Sequence, residues 1–260
     1  MYHTDATGSS LINYNKQNNK YHIKMFKTLR YLTLLFLIIS CSNNDGKMIL
    51  TGHVKGLKKG TLFLQKIKDS SLVSIDSIAI NGSSDFSFIE PVLEPEIYYL
   101  YVRLENGILN DDRIIFFAEP NPIIINTTLN NFAIDAKVSG STNQDKLEEY
   151  NKIINRYSDR NLELIKESFN SRKKGNDSLA DRLDKSQKSI LAKKYLATVS
   201  FALLNNDYEV APYLMVSRVN DVKTSYLDSV YNQLTPNIKD SKYGNDLESL
   251  IQFRNKNKIN

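Results

Sequence analysis

The sequence predicts an α+β protein: an N-terminal antiparallel β-sandwich over residues 48–140, followed by an α-helical region over residues 141–260. Three observations carry this. From Met48 to about Ser139, apolar residues alternate or come in short runs broken by turn signals every 8–12 residues, the pattern of a sandwich or barrel. At Gly140 the apolar spacing changes to steps of three and four, the period of a helix. Strands come first and helices second with little alternation, which argues against a doubly wound sheet.

The strands are expected near Ile49–Val54, Thr61–Lys66, Leu72–Ile80, Asp85–Ile89, Glu96–Leu104, Ile114–Phe117, Ile123–Leu129 and Ala136–Ser139. Lys59-Gly60 is expected to turn the first pair, and Asn81-Gly82 to supply the positive φ angles of a tight hairpin. Pro120-Asn121 fits the central positions of a type II turn, with Asn in the left-handed place. Pro91 and Pro95 flank a connection. In Asp85-Phe86-Ser87-Phe88, Phe86 and Phe88 share one face. The run Ile97 to Val102 is apolar on both faces, which predicts a central strand, since an edge that hydrophobic would invite pairing with other chains.

Beyond Gly140, Ser141 or Thr142 can cap a helix, with Asp145 three residues after Thr142 in a near capping box. Leu147, Tyr150, Ile154, Tyr157, Ile165 and Phe169 form its expected apolar stripe. Lys173-Lys174-Gly175-Asn176 breaks it. A second helix starts at Asp177 or Ser178, carries Leu179, Leu183, Ile190, Leu191 and Leu203, and ends near Asn205-Asn206. Pro212 suits the first turn of a helix over Tyr213–Val219. Another covers Ser225–Leu234, stopped by Thr235-Pro236, and the last covers Asn245–Asn257.

Upstream, Met25 to Cys41 reads MFKTLRYLTLLFLIISC. Lys27 and Arg30 precede a short apolar run, Tyr31 to Ile39, closed by Ser40-Cys41. These are the n-region, h-region and small-residue boundary of a secretory signal. The run is shorter than the roughly 20 apolar residues a bilayer-spanning helix needs. Ile38-Ile39-Ser40-Cys41 resembles a bacterial lipobox, which implies a lipoprotein signal peptide over 25–40 and lipidation of Cys41 as the mature N-terminus. The bland alternative is a buried core helix with a chance cysteine. Residues 1–24, polar and without apolar periodicity, are expected to be a disordered extension or to precede a true start at Met25. Residues 41–47 read as a tether.

Cys41 is the only cysteine, so no internal disulfide, CxxC redox pair or cysteine-based zinc site is expected. The formal charge of +5 gathers at the N-terminus, where Lys16, Lys20, Lys24, Lys27 and Arg30 face only Asp5. Setting these aside from the 34 basic and 29 acidic residues leaves 29 and 28 from Cys41 onward. Such a balance gives no field for steering onto phosphate backbones, so no nucleic-acid partner is expected.

His53 is the one histidine after Cys41 and cannot by itself make a His-based metal site. It is either a strand residue facing solvent or hydrogen-bonded at a sheet face, or a member of a Ser-His-Asp arrangement assembled in space, for which no GxSxG elbow exists. Asp76-Ser77 lies where Asp is disfavoured. It marks either a polar site at a sheet edge or a side chain closing a bulge. Asp111-Asp112 can help hold a cation but lacks the calcium-loop periodicity, and a solvated loop is the alternative. No phosphate-binding glycine loop is present. Tyr98, Tyr99 and Tyr101 either line a binding face or pack in the core. No cofactor and no metal are expected. Asp76-Ser77-Ile78, Asp177-Ser178-Leu179 and Asp228-Ser229-Val230 resemble a bacterial O-glycosylation acceptor pattern, with chance and helix caps as the alternative.

Several short pieces, in order, resemble one family. They are Gly52-His53-Val54 with Gly56, Gly60 to Gln65, Ile75-Asp76-Ser77, Asn81-Gly82 with Phe86-Ser87-Phe88, and Pro95-Glu96-Ile97-Tyr98. Phe117-Ala118-Glu119-Pro120-Asn121 follows, then Val138 to Asn143, and finally Ser241-Lys242-Tyr243-Gly244. Together they resemble the lipoprotein domain of unknown function found N-terminal to thioredoxin-like thiol–disulfide oxidoreductase domains. Asn121 stands where the family usually has Gly. Family members that act on disulfides continue into a thioredoxin fold with a CxxC site, which this sequence lacks, so the resemblance supplies no catalytic residue. It implies either a stand-alone N-terminal unit or a truncated gene. The expectation is a lipid-anchored protein of the cell envelope, at the periplasmic face or outer membrane, acting as a non-catalytic binding or adaptor module and not as an enzyme. The alternative is an accessory subunit that docks a separate thioredoxin-like partner. A hydrolase or metalloenzyme with a site assembled around His53 or Asp76 is the third reading.

Overall fold

The computed structural model describes residues 46–105, 112–219 and 222–258. Its strands are β1 (Lys47–Lys55), β2 (Lys59–Lys68), β3 (Ser71–Asn81), β4 (Asp85–Pro91), β5 (Glu96–Leu104), β6 (Ile114–Ala118), β7 (Pro122–Thr128) and β8 (Lys137–Ser139). They form two four-stranded sheets, in the orders β4-β1-β7-β8 and β3-β2-β5-β6. The period of two explains the pairing of the sheets. Met48 and Leu50 of β1, Phe86 and Phe88 of β4, and Ile123 and Ile125 of β7 face inward from the first sheet. Leu62, Leu64, Leu100, Val102 and Phe116 meet them from the second. All neighbours are antiparallel except β1 and β7, which run parallel, with Leu50 beside Ile123 and Gly52 beside Ile125.

Gly52 shows how tightly this parallel pair closes. A Cβ at this position lies 1.9 Å from the carbonyl oxygen of Ile125 and 2.7 Å from the Phe86 ring, so no other residue fits.

Three turns differ from expectation. Lys59-Gly60 lies inside β2, and the reversal comes earlier, where Leu57 N–H donates to the Val54 carbonyl at 3.0 Å. Asn81-Gly82 makes no hairpin: only Gly82 has positive φ, at 99°, because β3 and β4 belong to different sheets and the segment is a corner between them. The tight hairpin is Asp69-Ser70, joining β2 to β3 with φ of 49° and 65°, both positive as a type I′ loop requires. At Pro120-Asn121 no left-handed residue occurs. Asn121 N–H instead donates to the Glu119 carbonyl at 2.7 Å, and its own carbonyl accepts from Ile49 N–H at 3.3 Å. The bond to β1 holds Asn121 at the start of β7 rather than in an αL turn.

The helices are α1 (Thr142–Lys173), α2 (Asp177–Leu204), α3 (Val210–Arg218), α4 (Thr224–Gln233), α5 (Pro236–Lys239) and α6 (Lys242–Lys258). Ser141 is the N-cap of α1, and its oxygen accepts from Gln144 N–H at 3.0 Å. The capping pair is thus Ser141 with Gln144, not Thr142 with Asp145. Asn176 caps α2 in the same way, accepting from Leu179 N–H at 3.1 Å. Pro236 does not merely stop α4 but opens the short α5, where a missing N–H costs nothing.

Ile97 and Phe117 point away from the sandwich and pack against Leu147, Tyr150 and Ile154 of α1, Phe201 of α2, Leu214 of α3 and Tyr243 of α6. This accounts for the run that is apolar on both faces: β5 is interior to its sheet and is covered on one side by the first sheet and on the other by helices. A separate helical core joins Ala202, Ala211, Met215, Leu227, Val230 and Leu247. The expected stripe of α1 is buried only over its first half. Ile165 and Phe169 are 44% and 68% exposed, and Leu164 takes the inward place. Among the described residues, none between Tyr157 and Tyr195 joins any of the three clusters. There the helices hold each other through Leu164, Ala180, and polar links such as Ser168 to Asp184 at 2.6 Å and Lys194 to Ser158 at 3.1 Å. No helix among the described residues is long and apolar enough to cross a membrane.

Candidate functional site

The polar side chains singled out in the sequence are dispersed. His53 sits opposite Asp85 across β1 and β4, and its Nδ1 lies 2.7 Å from the Asp85 carboxylate, both exposed. Hydrogen bonds from His53 and then Ser83 hold the Asp85 carboxyl below the usual range. Asp76 lies beside a bulge in β3, where the register slips so that Leu64 faces Asp76 and Gln65 faces Ser74. Its carboxylate accepts from the next backbone N–H, that of Ser77, at 2.7 Å. Asp112 is exposed, while Asp111 and Cys41 lie outside the described residues. Ser77, Ser178 and Ser229 are exposed, the first on β3 and the others on α2 and α4. Tyr98 faces the sandwich core, whereas Tyr99 and Tyr101 lie on the opposite face of the sheet, Tyr101 against Phe63 with ring centroids 6.0 Å apart. Among the described residues, no three His, Cys, Asp or Glu side chains group as metal ligands.

A different constellation is built where the helices meet the second sheet. Glu119, which is 5% exposed, follows β6 and turns its carboxylate onto the start of α1. It accepts from Ser141 Oγ at 2.9 Å, from the backbone N–H groups of Thr142 and Asn143 at 3.2 and 2.8 Å, and from Asn143 Nδ2 at 3.0 Å. A carboxylate here satisfies donors that a helix leaves unpaired and lies at the positive end of its dipole. The amide of Asn143 also donates to Glu209 at 2.8 Å and accepts from Val210 N–H at 2.9 Å, tying α1 to the start of α3. Burial, and the charges of Glu119 and Glu94, push the Glu209 carboxyl up despite the Asn143 bond. Gln144 Oε1 accepts the edge N–H of Phe117 at 3.1 Å.

Gly140 makes this approach possible: its φ is +98°, and a Cβ there lies 2.1 Å from the Pro122 carbonyl oxygen.

On β5, Glu96 takes Lys66 Nζ at 2.6 Å and Lys242 Nζ at 2.9 Å. Burial works to raise the Glu96 carboxyl, but the bonds from the two lysines outweigh it and hold it below the usual range. Glu94 accepts from Lys242 N–H at 2.7 Å, and Tyr243 Oη accepts from Ile97 N–H at 2.8 Å. Burial pushes the Tyr243 phenol far up, so it stays neutral. The rings of Tyr213 and Tyr243 meet at 5.2 Å and, with Tyr99, border a cleft of about 370 Å³ between the β2–β3 hairpin, α3 and α6. Asp69, Ser217 and Asp246 stand at its rim, and burial raises the Asp246 carboxyl. Its size falls within the range of small-molecule sites. A second cavity, of about 520 Å³, is bordered by Lys59, Thr61, Asn81, Arg103 and Glu105. Neither His53 nor Asp76 lines either one.

Residues 48–147 match the family described as a domain of unknown function, DUF4369. The DUF4369 segment runs from β1 into the second turn of α1, so it holds both Glu119 and the helix start that Glu119 caps. No curated protein and no solved structure matches the chain.

The roles of Gln144, Glu209 and Asn143 as connectors escaped the sequence reading. One signal for the first was visible, because Ser141-Thr142-Asn143-Gln144 has the spacing of a capping box. Asn143 and Glu209 are 66 positions apart, and nothing local links them.

Proposed function

We propose that this chain is a lipid-anchored cell-envelope protein, held to a membrane by an acyl group on Cys41, whose folded part serves as a non-catalytic binding or adaptor module. The observation that carries the module reading is the use made of the residues resembling the lipoprotein family. Glu119 caps α1, Glu96 joins two lysines, Tyr243 holds the Ile97 amide, and Gly52 and Gly140 allow backbone contacts. Glu119, Glu96 and Tyr243 use these polar atoms to hold the sheet to the helices, and the two glycines serve close backbone packing at the first sheet. The cleft beside Tyr99, Tyr213 and Tyr243 then offers a place to hold a ligand without transforming it. The anchor reading rests on a single cysteine at the end of an n-region, h-region and small-residue boundary.

Metabolic labelling with an alkyne analogue of palmitate tests the anchor. The wild type is expected to label and fractionate with membranes, and Cys41→Ser to do neither. An unlabelled wild type in the soluble fraction overturns it. The order of the similar segments from Gly52 to Gly244 favours a second reading, an accessory that docks a separate thioredoxin-like thiol–disulfide oxidoreductase. Crosslinking in cells followed by mass spectrometry recovers such a partner under this reading, and recovery of none counts against it.

A further inference from the structure

A sheet covered on one face places apolar residues inward and polar residues outward. The outer face of the first sheet keeps this rule at one end and breaks it at the other. Where β1 ends, His53, Asp85, Asn126 and Lys137 stand exposed side by side on β1, β4, β7 and β8. Where β1 begins, the outward positions are Ile49, Ile89 and Ile124, which are 38%, 61% and 45% exposed. The register makes them neighbours. Ile49 pairs with Ile89 across β1 and β4 and lies beside Pro122, two residues before Ile124 on β7. Leu93, just past β4, is 94% exposed at the same end. Single exposed apolar residues are ordinary, whereas a contiguous group marks a contact. Among the described residues, none of β1, β4 or β7 joins the two helical clusters, so the helices leave this face open.

The course of the chain selects what covers it. The patch sits where β1 starts, and only six residue steps separate Lys47 from Cys41. Fully extended, six residues reach at most about 20 Å. An acyl group on Cys41 therefore keeps this end of the sandwich beside the bilayer. The opposite end, with Lys55 and the β7–β8 connection that carries Ile134, lies about 26 Å further along β1. The charges agree. Lys47 is exposed beside the patch, opposite Pro91, and Thr51, Ser87 and Ser139 around it are uncharged. Glu90 has the opposite parity to Ile89, and Glu94 accepts from Lys242 N–H at 2.7 Å. Asp85 lies at the far end, engaged with His53 at 2.7 Å. An apolar group bordered by a lysine and free of acids suits the headgroup region of an anionic bilayer.

We propose that Ile49, Ile89, Leu93 and Ile124 form a membrane-contact patch, which lies on the same bilayer that receives the Cys41 acyl group. The inference rests on the anchor reading and is independent of the adaptor reading. Four side chains hold a free protein to lipid only weakly, but a short tether makes the encounter intramolecular. The contact also orients the fold, with the first sheet toward lipid and the helix-covered side, with its cleft, toward water.

Fluorescence quenching tests it on the full chain extracted from membranes, with Cys41 occupied by lipid and an NBD label on one introduced cysteine. The probe is a vesicle of phosphatidylethanolamine and phosphatidylglycerol doped with a lipid bearing a shallow nitroxide, at low protein-to-lipid ratio. Labels at Ile89→Cys and Leu93→Cys are expected to be quenched at least about threefold more than labels at Asn126→Cys and Ile134→Cys. Ile134 is itself 82% exposed, so it controls for an exposed apolar site away from the tether. Adding Ile89→Glu to Leu93→Cys is expected to at least halve the quenching. Labelling by the palmitate analogue and the melting curve stay unchanged, since Ile89 is exposed. Vesicle-bound protein with equal quenching at all four sites overturns the patch and leaves the anchor standing. Protein that is neither acylated nor vesicle-bound overturns the anchor and the patch with it.

Discussion

The Tyr243 hydroxyl oxygen accepts the backbone N–H of Ile97 at 2.8 Å, joining residues 146 positions apart through a single buried bond. Ile97 is beyond the reach of β2, whose pairing with β5 ends at Lys66 and Tyr98. The last helix therefore finishes a strand in the middle of the fold. Tyr243→Phe keeps the ring packing against Phe117 and Tyr213 but strands the amide. The expected loss is about 1–3 kcal/mol, the penalty for a buried donor without a partner. In urea unfolding the midpoint falls with little change in slope.

The cap on α1 separates charge from shape. Glu119→Ala is expected to lose roughly 2–3 kcal/mol, because several buried donors at a helix start lose a charged acceptor. Glu119→Gln keeps an oxygen for Asn143 N–H and is expected to lose less. Equal losses in the two variants, measured by thermal unfolding at pH 7, contradict the capping account.

Gly140→Ala forces a side chain into a positive φ and against the Pro122 carbonyl at 2.1 Å. The cost is expected to be on the order of 3 kcal/mol or more. Gly175→Ala serves as the comparison: its φ is also positive, at +73°, but nothing lies within 4 Å of the added Cβ. It is expected to be the milder of the two by melting temperature.

Two carboxyls give opposite pH dependences. Glu209 has a folded-state pKa raised above its unfolded value, chiefly by burial. The folded state therefore binds its proton more readily, and stability from this group is present below the unfolded pKa and lost as pH rises through the folded one. Glu96 has a lowered pKa, because Lys66 and Lys242 outweigh its burial. Its stabilisation is present above the unfolded pKa and lost as pH falls through the folded one. Glu209→Gln is expected to raise the melting temperature at pH 7, and Glu96→Gln to lower it at pH 7 while flattening the acid limb. The reverse ordering of the two variants across a pH series contradicts these assignments.

The strands and long helices were legible because burial imposes a period on each. Phe86 and Phe88, or Leu147, Tyr150 and Ile154, cannot be inward without repeating at two or at three and four. The run from Ile97 to Val102 announced a strand covered on both faces, and β5 is one. Turn residues proved less informative. Asn81-Gly82 has the composition of a hairpin but serves a corner, since the choice between them depends on which sheet receives Phe86. The parallel pairing of β1 with β7 left no local trace, because a strand's period is the same whichever way its neighbour runs. The polar connectors were hidden for a similar reason: Asn143 reaches Glu119 and Glu209 through space, at separations of 24 and 66 positions. Ile165 and Phe169 keep the helical period of buried residues while standing outside the core, so periodicity identified the face and not its burial.

The bond between Tyr243 and Ile97 also bears on the order of assembly. A ribosome delivers β5 before any of the helices, so at first the strand has neighbours on the sandwich side and nothing on the other. Until α1, α2 and α3 emerge, Ile97 and Phe117 offer an open apolar surface, and until α6 follows the Ile97 N–H lacks the Tyr243 oxygen. The helix-facing side of the second sheet is therefore closed by a residue 146 positions downstream of the strand it completes.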